Sequence, residues 1–201
     1  MGHLINIDDA DGSTREKIFL SAAQLFSQKG YNGVSMRELA ERSGISKPTI
    51  YYYFGNKAGI YAELVHSGLS HGETYLKEIY RLTVPVKQKL VLLTKFHFDQ
   101  GIKHPEFVKF LLSMVTVTEN LPFLETFMRA ANKRKQVIID LVKVGIEQGE
   151  FGASADPDLA AEIFMGTITH FLWKQVNCKR RVLSHALAEQ IVELLFKGLN
   201  E

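Results

Sequence analysis

A single cysteine, one tryptophan and five prolines in 201 residues narrow the possibilities at once. One thiol, Cys178, cannot close a disulfide within the chain, which excludes a cross-linked secreted scaffold. The richest apolar runs, "KLVLLTKFHF" and "IFMGTITHFLW", fall short of the roughly 18 to 20 residues that a membrane span requires, so no membrane partner is expected. The stretch "MGHLINIDDADG" lacks the apolar core and cleavage pattern of a signal peptide. With the lone thiol, that makes a reducing cytoplasm the expected location. There is no phosphate-binding loop, no G-x-S-x-G elbow and no H-E-x-x-H helix. His66 and His71 are five residues apart, which puts them on different helix faces, and the other histidines are scattered singly. No catalytic residue, metal site or cofactor is therefore expected, and the chain does not read as an enzyme.

What the chain does have is apolar surface: 46% apolar residues and 10% aromatics, enough to bury a core in one ordinary domain or in one small and one medium domain. With 23% charged residues and a net charge of only +2, it is neither a disordered polyelectrolyte nor a protein that coats nucleic acid indiscriminately. The positive charge is concentrated. Residues 13–57 carry seven Lys/Arg against three Asp/Glu, the first twelve residues are acidic, and the remainder is nearly balanced.

No stretch alternates apolar and polar residues over a strand's length, and the breakers leave helices between them, so the expected fold class is all-α. Ile18, Ala22, Leu25 and Phe26 recur at helical spacing and predict a first helix over 13–29, with Ser13 and Glu16 as a capping box and Gly30 as the stop. Ser35 and Glu38 repeat the box, and Val34 and Leu39 occupy the positions of a hydrophobic staple. Gly44 ends that short second helix. Ser46 caps a third, whose first turn tolerates Pro48, and Gly55 and Asn56 close it and cap a fourth. Two short helices joined by a tight glycine turn make a helix-turn-helix.

The third helix carries Tyr51, Tyr52 and Tyr53 in a row. At 100° per residue, Ile50 and Phe54 share one side and anchor it to the first two helices. Pro48, Thr49 and Tyr52 then face away from that anchor, with Tyr51 and Tyr53 on the flanks and Lys47 near the start. Hydroxyls, a lysine and a threonine methyl suit a major groove, where they can meet phosphates, base edges and thymine methyls. The alternative is that the rings wrap a core edge with their hydroxyls in water.

The stretch "AAQLFSQKGYNGVSMRELAERSGISKPTIYYYFGNKAGIYAELV" resembles the DNA-binding domain of the tetracycline-repressor (TetR) family of bacterial transcription regulators. Its "LF..KGY", "S...LA..SG.S...IYYYF" and "NK" elements follow in order and without gaps. The resemblance implies that Ser35 contacts phosphate, that Ser46, Lys47, Pro48, Thr49, Tyr51 and Tyr52 read or approach bases, and that Tyr53 and Lys57 grip phosphate. There is one departure. "NKAGI" puts Ala58 and Gly59 where many relatives carry an acidic residue after the lysine, from which a less rigid start of the fourth helix is expected. The implied organisation is a flexible arm over 1–12, a three-helix DNA-binding domain over 13–58 and a larger helical ligand-binding and dimerisation domain over 59–201.

Beyond residue 60 the fourth helix continues through "IYAELVHSGLSHGETYLKEIY", where Gly68 and Gly72 either soften it or break it. Further helices are predicted over 85–102, 105–119, 122–148, 157–176 and 182–199, four of them opened by proline. In "LAAEIFMGTITHFLW" apolar or small residues occupy more than one stripe, so that helix needs a second partner besides its own core. The resemblance supplies a homodimer built on the last two helices; the alternative is the buried centre of a monomer. It also implies a small-molecule pocket among the fourth to eighth helices, with Phe96, Phe110, Met114, Phe127, Phe164 and Ile168 as apolar candidates and Gln100 and His170 as polar ones. No charged group stands out within the apolar stripes, so a neutral, hydrophobic or aromatic effector is expected. The basic run "CKRR" reads as a solvated connector. The functional expectation is a homodimeric repressor on a palindromic double-stranded operator, released by a small, largely apolar ligand. A ligand-independent architectural DNA binder, an activator of the same fold, and a helical enzyme or adaptor with an incidental motif are the alternatives.

Overall fold

The computed structural model describes residues 14–115, 123–178 and 181–199. Among them the chain forms nine helices and no strand: α1 (Thr14–Lys29), α2 (Met36–Ser43), α3 (Lys47–Phe54), α4 (Lys57–Arg81), α5 (Val86–Lys103), α6 (Pro105–Ser113), α7 (Leu124–Glu147), α8 (Pro157–Asn177) and α9 (His185–Gly198). The expected arm over 1–12, the Ser13 cap, the opening Pro122 and the Lys179–Arg180 part of the basic run lie outside the described residues. The sixth helix is shorter than expected. It stops at Ser113, and Val115 begins the β-branched run "VTVT", a poor helix former.

Local signals set the ends of α2, α3 and α4. Ser35 Oγ accepts from the Glu38 N–H at 3.2 Å, and the chain leaves α2 through Gly44 at φ 69°, a left-handed conformation that disfavours a side chain. Val34 and Leu39 are both buried, closing the staple. Asn56 Oδ1 accepts from the Gly59 N–H at 2.8 Å. A Cβ at Gly59 would lie 2.0 Å from the Phe54 carbonyl oxygen, so the missing side chain is what lets α3 and α4 meet this tightly.

α4 is unbroken from Lys57 to Arg81; neither glycine interrupts it. Gly68 marks a close approach, and Gly72 an ordinary contact. A Cβ at Gly68 would come within 2.8 Å of a Leu111 methyl on α6, and Gly72 lies against the Arg134 guanidinium of α7. α5 has no side-chain cap of its own at Pro85. The Glu150 carboxylate, from the turn after α7, accepts from the Val86 and Lys87 N–H groups at 2.9 and 3.2 Å instead.

The apolar residues collect in two clusters. One unites α5, α7, α8 and α9 through residues such as Phe98, Leu141, Phe164 and Val192. The other joins α1, α2 and α3 to α4, α6 and the start of α7: Ile18, Phe26, Ile50, Tyr61, Phe107, Phe110 and Phe127 share one core. Its centre is aromatic. Tyr61 meets Phe26, Tyr31 and Phe110 edge-on at 5.0 to 5.2 Å. The boundary expected at residue 58 is thus spanned by continuous packing.

Candidate nucleic-acid interface and effector cavity

α3 is held from behind and open in front. Ile50 is fully buried and Phe54 nearly so, while Tyr52 is 84% exposed, with Tyr51, Tyr53, Lys47 and Pro48 also exposed and Thr49 partly so. Ser46 caps the helix: its Oγ accepts from the Thr49 N–H at 3.3 Å and lies 2.7 Å from Thr49 Oγ1. That bond pre-orients both hydroxyls at the tip of the helix. Tyr53 packs edge-on against Tyr52 at 5.3 Å, limiting the freedom of both rings.

The surrounding charges brace this head. Arg15 of α1 lies over the Phe54 ring and pairs with Glu63 of α4 at 2.5 Å. Glu38 pairs with Lys29 of α1, and this hydrogen bond, with help from the Ser35 N–H, holds its carboxyl below the usual range. Lys57 is committed in the same way. Its Nζ donates to the carbonyl oxygens of Tyr31 and Val34 at 2.9 and 3.0 Å and sits 4.4 Å from the centre of the Tyr31 ring. The ammonium expected to grip phosphate is occupied with the α1–α2 loop, which ties the first turn of α4 to that loop.

The residues singled out for a ligand do not converge. Phe110, Met114 and Phe127 are buried in the cluster shared with the head, Phe164 and Ile168 in the other. Phe96 stacks on Tyr75 at 4.0 Å, Gln100 is partly buried, and His170 is exposed on the outer side of α8. A cavity of about 220 Å³ opens elsewhere, between α4 and α7, over Leu69, Leu76, Tyr80, Ala130 and Val137. Its charged lining is Glu73, Lys77 and Arg81 from α4 and Lys133, Arg134 and Asp140 from α7.

Residues 18–64, the span of this braced head, match the model of a family described as bacterial regulatory proteins, tetR family. The chain belongs to the tetR family. It is a regulatory protein, not an enzyme. It is 24% identical over 188 residues to a fatty acid metabolism regulator protein of Bacillus subtilis, covering 92% of this chain and 94% of that one. It is 30% identical over 141 residues to a probable transcriptional regulator, YttP, of the same organism, covering 69% of this chain and 65% of the relative. The fold also matches that of a Bacillus subtilis transcriptional regulator, FadR, solved in complex with stearoyl-CoA: TM-score 0.67, 21% identity, 92% of this chain and 99% of that one.

The cavity departs from the chemistry expected of this tetR-family chain. Charged groups do lie within the apolar stripes. Phe127, Arg134, Ile138 and Leu141 are spaced i, i+7, i+11 and i+14 along α7, so Arg134 replaces an apolar residue in the inward row. That interruption was visible in the sequence. Beside it, burial pushes the His97 imidazole down to about 4, although its Nδ1–H donates to the Leu93 carbonyl at 2.7 Å; Arg134 adds to the depression. His97 is neutral at physiological pH. Among the described residues no helix is long and apolar enough to cross a membrane.

Proposed function

We propose that this chain is a homodimeric repressor that reads a palindromic operator through α3 and is released from it by a small, largely apolar ligand. The observation that carries the proposal is the Tyr52 face: an exposed ring, with Lys47 and Thr49 beside it, on a helix buried behind and capped at its tip. Leaving such rings in water is unfavourable for a monomer with no partner. In a major groove they gain base-edge and thymine-methyl contacts, while Ser35 and Tyr53 reach the phosphates. Ser46, Pro48 and Tyr51 border the bases, and Lys57 positions the head from behind.

The second partner is another copy. Leu159, Ile163, Gly166, His170 and Trp173 are all exposed and follow the four-three spacing of a helix-pairing seam along α8. Nothing lies within 4 Å of a Cβ at Gly166, so the middle of the seam is flat, and Leu194 of α9 adds a residue 70% exposed. A two-fold axis through this face would set the two α3 helices about one DNA turn apart, roughly 34 Å. The solved regulator that holds stearoyl-CoA supports a ligand with a large apolar part.

Selection of random duplexes tests the reading. The expected winner is a palindrome with half-sites about one helical turn apart, preferred about 10³-fold or more over a scrambled control and salt-dependent. No enrichment, with winner and control bound alike, would sink it.

A further inference from the structure

The cavity between α4 and α7 presents mostly apolar surface, with six charged residues among those that line it. Four cations (Lys77, Arg81, Lys133, Arg134) face two carboxylates there. The carboxylates are already engaged. Glu73 accepts from Lys133 at 2.6 Å and pairs with Lys77 at 3.2 Å, and Asp140 accepts from the Gln136 amide at 3.0 Å. Arg134 is partly buried, lies beside Gly72, and has no hydrogen-bond partner and no carboxylate within 4 Å among the described residues, Glu73 acting on it only from farther away. A guanidinium withdrawn from water with no anion in contact is costly, and its five N–H donors are suited to a carboxylate or phosphate. Burial pushes the Arg134 guanidinium below its ordinary value, and the charge of Glu73, which is not in contact with it, offsets this only in part.

We infer that this cavity takes an amphiphilic anion, an aliphatic chain lying on Leu69, Leu76 and Val137 with its carboxylate or phosphate held by Arg134. This rests on the proposed repressor reading for its consequence, though not for its chemistry. An anion beside Arg134 competes with Glu73 for Lys133 and Lys77, and that three-membered cluster is an ionic tie between α4 and α7. The occupant therefore acts on the helix whose first turn carries the DNA head. The volume is below the roughly 300–1,000 Å³ of drug-sized sites, so a short chain fits as the structure stands.

The test is calorimetric titration of the full-length protein with decanoate, decanoyl-CoA and decanol, on the native chain and on Arg134→Gln and Arg134→Lys. Decanoate or decanoyl-CoA should bind the native chain at least tenfold more tightly than decanol. Binding of the anion should fall tenfold or more in Arg134→Gln and largely return in Arg134→Lys, while decanol distinguishes none of the three. Decanoate binding identifies a carboxylate as the anchor; binding of decanoyl-CoA alone identifies the phosphates. The inference is overturned if decanol binds the native chain as well as the anions do, if neither anion binds, or if Arg134→Gln binds them unchanged. The first comparison needs no variant, so a misfolded Arg134→Gln does not protect the idea. Operator binding is scored separately. Anion binding without a selectable operator keeps the site and removes the repressor; an operator released by decanol but by neither anion keeps the repressor and removes the site.

Discussion

The Lys57 ammonium donates to the Val34 carbonyl 3.0 Å away, joining the first turn of α4 to the residue that staples α2. With the parallel bond to Tyr31, the side chain fixes the orientation of the DNA-reading head relative to α4. A lysine used only to hold phosphate and a lysine used as a brace give different outcomes. Lys57→Met should lower the unfolding free energy by about 1–3 kcal/mol, because two carbonyls lose a charged donor. Unfolding in urea, without DNA, measures this. An unchanged stability with a shallower salt dependence of DNA binding would return Lys57 to the phosphate.

Tyr52 behaves in the opposite way. At 84% exposure its ring contact is with the likewise exposed Tyr53 and not with the core, so Tyr52→Ala should leave stability within about 0.5 kcal/mol while weakening binding to the selected duplex roughly tenfold or more. Lys47→Ala should weaken binding to the selected duplex and reduce the salt slope by about one. Fluorescence anisotropy at several salt concentrations checks both.

The helix-turn-helix was legible because its signals are local: Ser35 with Glu38, Val34 with Leu39, Gly44, Ser46 and Asn56 all act within a few residues of themselves. What escaped the sequence depends on distant neighbours. The place of Gly68 inside an unbroken α4 is matched to the close approach of Leu111 on α6, and the cap of α5 comes from Glu150, far along the chain. The apolar candidates for a pocket were scattered over two cores because periodicity marks an inward face without distinguishing core from cavity. Arg134 was readable and overlooked, since its place in the row of Phe127, Ile138 and Leu141 was the signal.

His97 gives the fold a pH dependence of known sign. Its folded value of about 4 lies below its ordinary 6.5, so the unfolded chain takes up the proton first as pH falls. The stability that depends on neutral His97 is fully present above about pH 6.5 and declines by up to about 1.4 kcal/mol per pH unit toward pH 4. Chemical unfolding at pH 7, 5.5 and 4.5 should show this slope reduced in His97→Gln, which retains a donor for the Leu93 carbonyl.

Gly145 tests the packing at the end of α7. An added Cβ would meet the Phe151 ring at 2.3 Å, and that ring is buried with Phe196 at 5.0 Å behind it. Gly145→Ala should therefore destabilise by about 1–3 kcal/mol, where alanine in an open helix would stabilise. Thermal denaturation decides the sign.

The seam on α8 makes a hydrodynamic prediction. Ile163→Glu places a charge in its middle without disturbing the buried row of Ala160, Phe164 and Ile168. Sedimentation should show the native chain at twice the mass of the variant, and the variant should lose affinity for the palindrome while still folding. A native chain that sediments as a monomer at operator-binding concentrations would remove the two-fold arrangement.

The aromatic core that runs from Phe26 through Tyr61 to Phe110 has a consequence for inheritance and engineering. The part that reads DNA is a discontinuous unit in the gene, since its third layer, α6, is encoded some fifty residues downstream of α3. A single crossover after residue 58 would pair Phe19 and Phe26 with a foreign surface in place of Phe107 and Phe110. Chimeras that exchange operator specificity should survive when α6 travels with the first half of α4, and fail when the head is moved alone.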